Sequence, residues 1–165
     1  MKENEKEDFP FKRLFVKEDL KIVAVEKQST NRWFVEIKAE DVKRFAKILL
    51  SQGSRLITIS ALSTSRGYNI LYHFHVEEGV LTLKTSVLKT KPEIDSIAVV
   101  VPAAELVEHE IQEMLGVRFL GNPRKSNFIL PEDWPEEKKP LKRDEETLIR
   151  MTLPLAGRGR WRVEE

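Results

Sequence analysis

A histidine and a glutamate four residues apart, His109 and Glu113, stand in the run VEHEIQEMLGVRFLGNP from Val107 to Pro123. On a helix that spacing puts both side chains on one face, where they could hold a divalent metal or act as an acid/base pair. Glu108 and Glu110 add further carboxylates beside them. The run lacks the H-E-x-x-H arrangement and a second histidine, and acidic helix faces are more often solvated or salt-bridged than catalytic. His73 and His75 form a second pair, two residues apart on a strand pattern, so both imidazoles project from one sheet face. No third ligand stands near them in sequence, and solvent-facing strand histidines are common. The loop Ser63 to Gly67 offers hydroxyls and a glycine to a phosphate but has no G-x-x-x-x-G-K-[ST] pattern, so a plain connection is the simpler reading. Near the end, Gly157 to Arg162 reads GRGRWR, able to stack on single-stranded nucleic acid or to dock arginines on an acidic protein. A net charge of +1 favours the protein.

Composition removes other chemistry. There is no cysteine, which excludes disulfides, cysteine-ligated zinc, iron–sulfur ligation and thiol catalysis from this chain. No apolar run reaches the roughly 18 residues of a membrane span, and the start, MKENEKEDFPFKR, is mixed-charge rather than a secretory signal. A cytosolic chain that meets a membrane only through partners is expected. Glutamate outnumbers aspartate and lysine is abundant, the compositional lean of hyperthermophile proteins.

The elements that must position these residues follow from periodicity. Residues 1–19 read as a polar N-terminal arm. Leu20 to Val25 is a short apolar run suited to an edge strand, and Trp33, Val35 and Ile37 alternate with Phe34, Glu36 and Lys38 as a half-buried strand. A helix is expected over Glu40 to Gln52, with Glu40 and Asp41 in its first turn, Val42, Phe45, Ala46 and Leu49 inward, and Gly53 closing it. Arg55 to Ala61 predicts a strand. Tyr68 to Val76 and Val80 to Lys89 predict a long hairpin turning at Glu77 to Gly79. Lys91 to Ile94 should break the strand, and the apolar run Ser96 to Val101 leads through Pro102 into the central helix.

In that helix Val107, Ile111, Met114 and Leu115 form the apolar stripe, Glu108, His109, Gln112 and Glu113 the remainder, and Gly116 the left-handed stop. Beyond Pro123, the prolines at 131, 135, 140 and 154 argue against regular structure. Phe128, Ile129, Leu130, Trp134, Leu141 and Trp161 are too apolar for a solvated tail, so this stretch must lie on something. The expected fold is α/β, a two-layer α+β domain over residues 20–122. It would have a mixed or antiparallel sheet of about four or five strands, helices on one face, and a long extended C-terminal arm over 123–165.

The central run and the arm together resemble the C-type subunit of respiratory complex I, the 30 Kd subunit of NADH:quinone oxidoreductase. The signature of that family runs Glu-Arg-Glu, two residues, Asp, two residues, Gly, two residues, Phe, one residue, Gly-His-Pro. Glu108, Glu110, Gly116, Phe119, Gly121 and Pro123 match it, while His109, Glu113 and Asn122 replace the arginine, aspartate and histidine. Leu130, Trp134 and the block Pro140, Leu141, Lys142, Arg143, Asp144 echo the family's continuation. The resemblance implies a non-catalytic structural subunit without a cofactor or metal of its own. It would sit in the peripheral arm of a membrane-bound oxidoreductase, on the cytoplasmic side. The implied partners are the large subunit, of nickel–iron or quinone-site type, and small iron–sulfur subunits, which would carry the [NiFe] centre and the clusters. No nucleic acid is implied.

The three substitutions and the thermophile lean point toward an archaeal energy-converting hydrogenase or its sulfur-reducing relative, with a true NADH- or F420H2:quinone oxidoreductase as the alternative. The interface residues this implies are Glu108, His109, Glu110, Glu113, Gly116, Phe119, Gly121, Asn122, Pro123, Trp134, Pro140, Leu141, Arg143 and Trp161. Within that set Glu108 and Glu110 would orient the loop or pair with arginines of the partner, and Phe119 and Trp134 would be apolar anchors, with packing inside the chain as the other reading. A stand-alone metal enzyme using His73, His75 or His109 with Glu113, and a nucleic-acid-binding module, remain the readings from other classes.

Overall fold

Alternation of apolar residues with period two writes the sheet. In the computed structural model, which describes Phe15 and residues 20–77, 79–124 and 126–142, five strands pair in the order β1-β2-β5-β4-β3. They are β1 (Ile22–Ser29), β2 (Arg32–Ile37), β3 (Arg55–Ser63), β4 (Gly67–Val76) and β5 (Gly79–Leu88). The β1–β2 hairpin and the β3–β4–β5 meander are antiparallel, and β2 joins β5 in parallel. The sheet is therefore mixed. Register aligns one face into apolar rows: Trp33, Leu81, Phe74 and Leu56 lie across four strands, and Val35, Leu83, Tyr72 and Ile59 form the next row. All eight are buried.

Among the described residues, two helices close that face. A 3-10 turn, Ala39–Asp41, leads into α1 (Val42–Ser51), so Glu40 and Asp41 precede the α-helix rather than forming its first turn. The expected stripe of Val42, Phe45, Ala46 and Leu49 is buried, and Phe45 packs its ring 4.8 Å from that of Phe15. The second helix, α2 (Ala104–Leu115), is built of strong helix formers and adds Ala104, Ile111 and Leu115 to the same core. It ends at Gly116, whose φ of 81° is the left-handed conformation the sequence predicts for it. Gly116→Ala is expected to cost about 1 kcal/mol, from forcing a β-carbon into that conformation. The facing Lys139 stem is flexible enough to move aside. A urea unfolding midpoint unchanged by the substitution would refute this.

Lys91 to Ile94 does more than end the hairpin. Glu93–Asp95 forms β6, which pairs in parallel with β7 (Arg118–Leu120), the segment directly after α2. Three-residue strands show no readable alternation. Residues 126–142 contain no helix or strand. They run through turns closed by Trp134 N–H to Pro131 O (3.0 Å), Lys138 N–H to Pro135 O (3.0 Å) and Lys142 N–H to Lys139 O (3.1 Å). Two of the predicted breakers thus open turns. The rest of the expected arms, including Arg143 and Trp161, lies outside the described residues.

The candidate site around helix α2

The side of α2 expected to be polar and outward is covered. Glu108, His109 and Glu113 are all buried, and the two glutamates are held by the chain's own backbone. Glu108 Oε1 accepts the Ile97 N–H at 2.8 Å, while Oε2 accepts the Ser96 hydroxyl and, at 3.0 Å, the Asn122 amide. Asn122 also donates to Glu105 O at 3.1 Å, and its Oδ1 accepts the Arg124 N–H at 3.0 Å. One carboxylate thus ties together the turn after β6, the middle of α2 and the loop after β7. Burial pushes the Glu108 carboxyl above the usual range, and its donors from Ser96, Ile97 and Asn122 pull it part of the way back.

Glu113 performs the same task one turn later on a different segment. Its Oε1 accepts the Phe128 N–H at 2.6 Å, and its Oε2 accepts those of Ile129 at 2.9 Å and Leu130 at 2.7 Å. Three consecutive amides converge on one carboxylate. Burial raises this carboxyl, but those three N–H groups, with the nearby His109, outweigh burial and hold it below the usual range. His109 Nε2 lies 3.0 Å from Glu113 Oε1, and among the described residues neither ring nitrogen has a hydrogen-bond partner.

The two glutamates depend on pH in opposite senses. Glu113, with its carboxyl held low when folded, contributes stability that is present above the unfolded value of about 4.3 and is lost as pH falls through the folded value. Glu108, pushed up, favours the fold fully below that unfolded value and loses its contribution as pH rises through the raised one. Carboxyl carbon titration by NMR should place the Glu108 midpoint above the ordinary glutamate range and the Glu113 midpoint below it. Coincident midpoints would contradict both networks.

Phe119 lies in β7 and is buried, as in the reading that packs it inside the chain. Among the residues expected at an interface, Glu110, Gly121, Pro123, Pro140 and Leu141 are exposed or partly so and Trp134 is half-buried, its Nε1 donating to Lys138 O at 2.8 Å. Glu110 faces a groove between α2 and β3 that Val107, Met114 and Leu141 also line. So the side of α2 that carries Glu108, His109 and Glu113 is not a solvated face. Of the two roles expected of Glu108, orienting the loop is the one its bonds serve, since both of its oxygens are already taken by internal donors. Residue types alone do not point to Ser96 or to the amides of Phe128, Ile129 and Leu130.

The strand histidines do not converge on a metal. His73 bridges three strands, with Nδ1 2.9 Å from Thr82 Oγ1 and Nε2 3.3 Å from Ser60 Oγ, while His75 is exposed. Burial, and then the Arg32 charge, lowers the His73 pKa. Among the described residues no group of three or more His, Cys, Asp or Glu could hold a metal ion, and no helix is long and apolar enough to cross a membrane.

The acidic helix, its Gly116 stop and the loop through Pro123 all fall within a segment shared with known proteins. The family model described as "Respiratory-chain NADH dehydrogenase, 30 Kd subunit" matches residues 35–148. The chain belongs to this family. Formate hydrogenlyase subunit 5 of Escherichia coli is 36% identical over 80 residues, covering 47% of this chain and 14% of the relative. The C/D subunit of the NADH-quinone oxidoreductase of Methylococcus capsulatus is 35% identical over 79 residues, covering 47% of this chain and 13% of the relative. The chain thus spans about a seventh of the length of these curated relatives. A chain from the structure of the membrane-bound sulfane sulfur reductase, an archaeal respiratory membrane complex, matches 99% of both chains with a TM-score of 0.71 at 17% identity, which establishes the shared fold.

In this member of the 30 Kd subunit family the signature positions divide by task. Glu108 and Glu113 organise backbone, Gly116 (φ 81°) and Gly121 (φ 86°) permit the turns, and Phe119 is buried in the core. Asn122, one of the departures from the signature, supplies a donor to Glu108.

Proposed function

We propose that this chain is a non-catalytic structural subunit of the cytoplasmic peripheral arm of a membrane-bound respiratory oxidoreductase. The assembly is an energy-converting nickel–iron hydrogenase or a related complex I-like complex. The subunit packs on the large subunit and supports electron transfer coupled to ion translocation, with the [NiFe] centre and iron–sulfur clusters in its partners.

The observation that carries the reading is the commitment of the helix's reactive groups. Glu108 and Glu113 each accept three hydrogen bonds from their own chain. They are positioned to shape loops rather than to meet a substrate. Family membership supports the assignment to a respiratory complex. The Methylococcus relative, whose name joins C and D in one subunit, supports the large-subunit partner, because there the matched segment and a much longer remainder are one polypeptide. Segments fused in one protein and separate in another commonly face each other.

In this reading residues 20–122 form the domain, and the arm over 123–165 docks on the partner, with Trp134, Pro140, Leu141, Arg143 and Trp161 among the contacts. Membrane association comes through other subunits. Affinity purification of the tagged chain from its own membranes, with mass-spectrometric identification and metal analysis, tests this. The expected result is a stoichiometric large subunit and metal only in the complex. A chain recovered alone from the soluble fraction, or one that retains a stoichiometric metal when isolated, would overturn it.

A further inference from the structure

The strap over residues 126–142 is held to α2 at both ends. At one end Glu113 gathers the amides of Phe128, Ile129 and Leu130, and at the other the Leu141 N–H donates to Met114 O at 2.9 Å. The backbone between Phe128 and Leu130 thus turns its polar groups inward onto a buried carboxylate. Its side chains go the other way: Phe128 is 53% and Ile129 47% exposed. Arg124, ion-paired to Glu105 at 3.2 Å, lies 5.4 Å from the centre of the Phe128 ring and braces it. Adjacent large apolar side chains on backbone fixed by three charge-assisted hydrogen bonds gain nothing from their exposure in the free chain. Fixed in place, they give up little conformational freedom on docking, which is the property of an interface anchor.

We propose that Phe128 and Ile129 are the anchors of the docking surface, that they seat in an apolar recess of the large subunit, and that Glu113 is the positioning residue that presents them. This rests on the large-subunit partnership proposed above. The occupant is argued to be the large subunit because in the fused C/D relative the segment that matches this chain shares one polypeptide with a much longer remainder. The position needs a carboxylate. Both terminal atoms must accept hydrogen bonds, and in a glutamine one of the two is a donor.

The test uses the tagged full chain in its native complex, with three variants beside the wild type: Glu113→Gln, the pair Phe128→Ser and Ile129→Ser, and a control pair, Ile57→Ser and Leu62→Ser, on the exposed positions of β3. Amide hydrogen exchange on the isolated full chain should show the amides of 128–130 exchanging at least about tenfold faster in Glu113→Gln, with the five-stranded sheet unchanged. Retention of the large subunit through a salt wash should fall by about tenfold in both Glu113→Gln and the Phe128/Ile129 pair, and not in the control. The Phe128/Ile129 pair should keep wild-type exchange at 128–130, which separates a lost anchor from a lost strap.

Unchanged exchange in Glu113→Gln would overturn the positioning role. Full retention by the Phe128/Ile129 pair, or equal loss by the control, would overturn the docking surface while leaving the functional assignment intact. Loss of self-association in the Phe128/Ile129 pair, with the large subunit retained, would reassign the surface to a second copy of the chain. A wild-type chain that brings down no large subunit would instead defeat the functional reading itself.

Discussion

Glu108→Ala is expected to destabilise the chain by roughly 3 kcal/mol or more, because it strips the acceptor from three donors in the interior at once. The Ile97 N–H and the Ser96 hydroxyl have no route to water in place of the carboxylate, both residues being buried. Asn122 retains its bond to Glu105 O and loses only one of two acceptors. The truncation also leaves a cavity near Tyr72, whose buried hydroxyl has no hydrogen-bond partner among the described residues and whose ionisation is pushed well up by burial and then by the Glu108 charge. Glu108→Gln should cost distinctly less. Its single oxygen can still accept from Ile97, and the Ser96 oxygen, which already takes the Ala98 N–H at 3.0 Å, has a second lone pair for the new amide, while Asn122 loses this bond and keeps the one to Glu105 O. Urea unfolding of the full chain measures both, and a Glu108→Ala loss below about 1 kcal/mol would mean that the network is not structural.

The second large effect separates folding from docking. Phe119→Ala should lower stability by roughly 3–5 kcal/mol, the range for removing a buried aromatic ring. Phe119 is almost fully enclosed and sits in β7 opposite Ile94 of β6, with Val117 and Leu115 in the same apolar cluster. If it were instead an anchor reserved for a partner, the isolated variant would unfold like the wild type and only the complex would weaken. A Phe119→Ala chain with an unaltered unfolding midpoint would favour the interface reading of this residue over packing inside the chain.

Much of this architecture could be read from the residues, and the reasons for the exceptions are physical. Trp33, Val35 and Ile37, and the alternation from Tyr68 to Val76, are long enough to show their period, and α1 displays an uninterrupted stripe. The small sheet of β6 and β7 could not be read, since three residues carry no period and its two strands are separated by the whole of α2. The site was half legible. Residue identity brought Glu108, His109 and Glu113 to notice, and the resemblance set Gly116, Phe119 and Gly121 beside them. What the carboxylates bind was hidden, because Glu113 takes backbone amides that any sequence over 128–130 other than proline would offer. A glutamate on a helix is read as outward by default, and only the return of the strap across α2 reverses that.

The parallel pairing of β2 with β5 bears on how the chain acquires its shape in time. The β1–β2 hairpin forms from neighbouring residues, but its open edge waits for a strand far downstream, as the contact between Glu36 and Lys84 across 48 residues shows. During synthesis the β1–β2 hairpin therefore leaves the ribosome with a row of unpaired backbone N–H and C=O groups along β2, and it keeps that open edge until β5 has emerged behind α1, β3 and β4. Closure of so distant a pair is the slow kind of step in folding. The seam between β2 and β5 is then the place where the nascent chain is most open to mispairing or to a chaperone, and where completion of the core is finally registered.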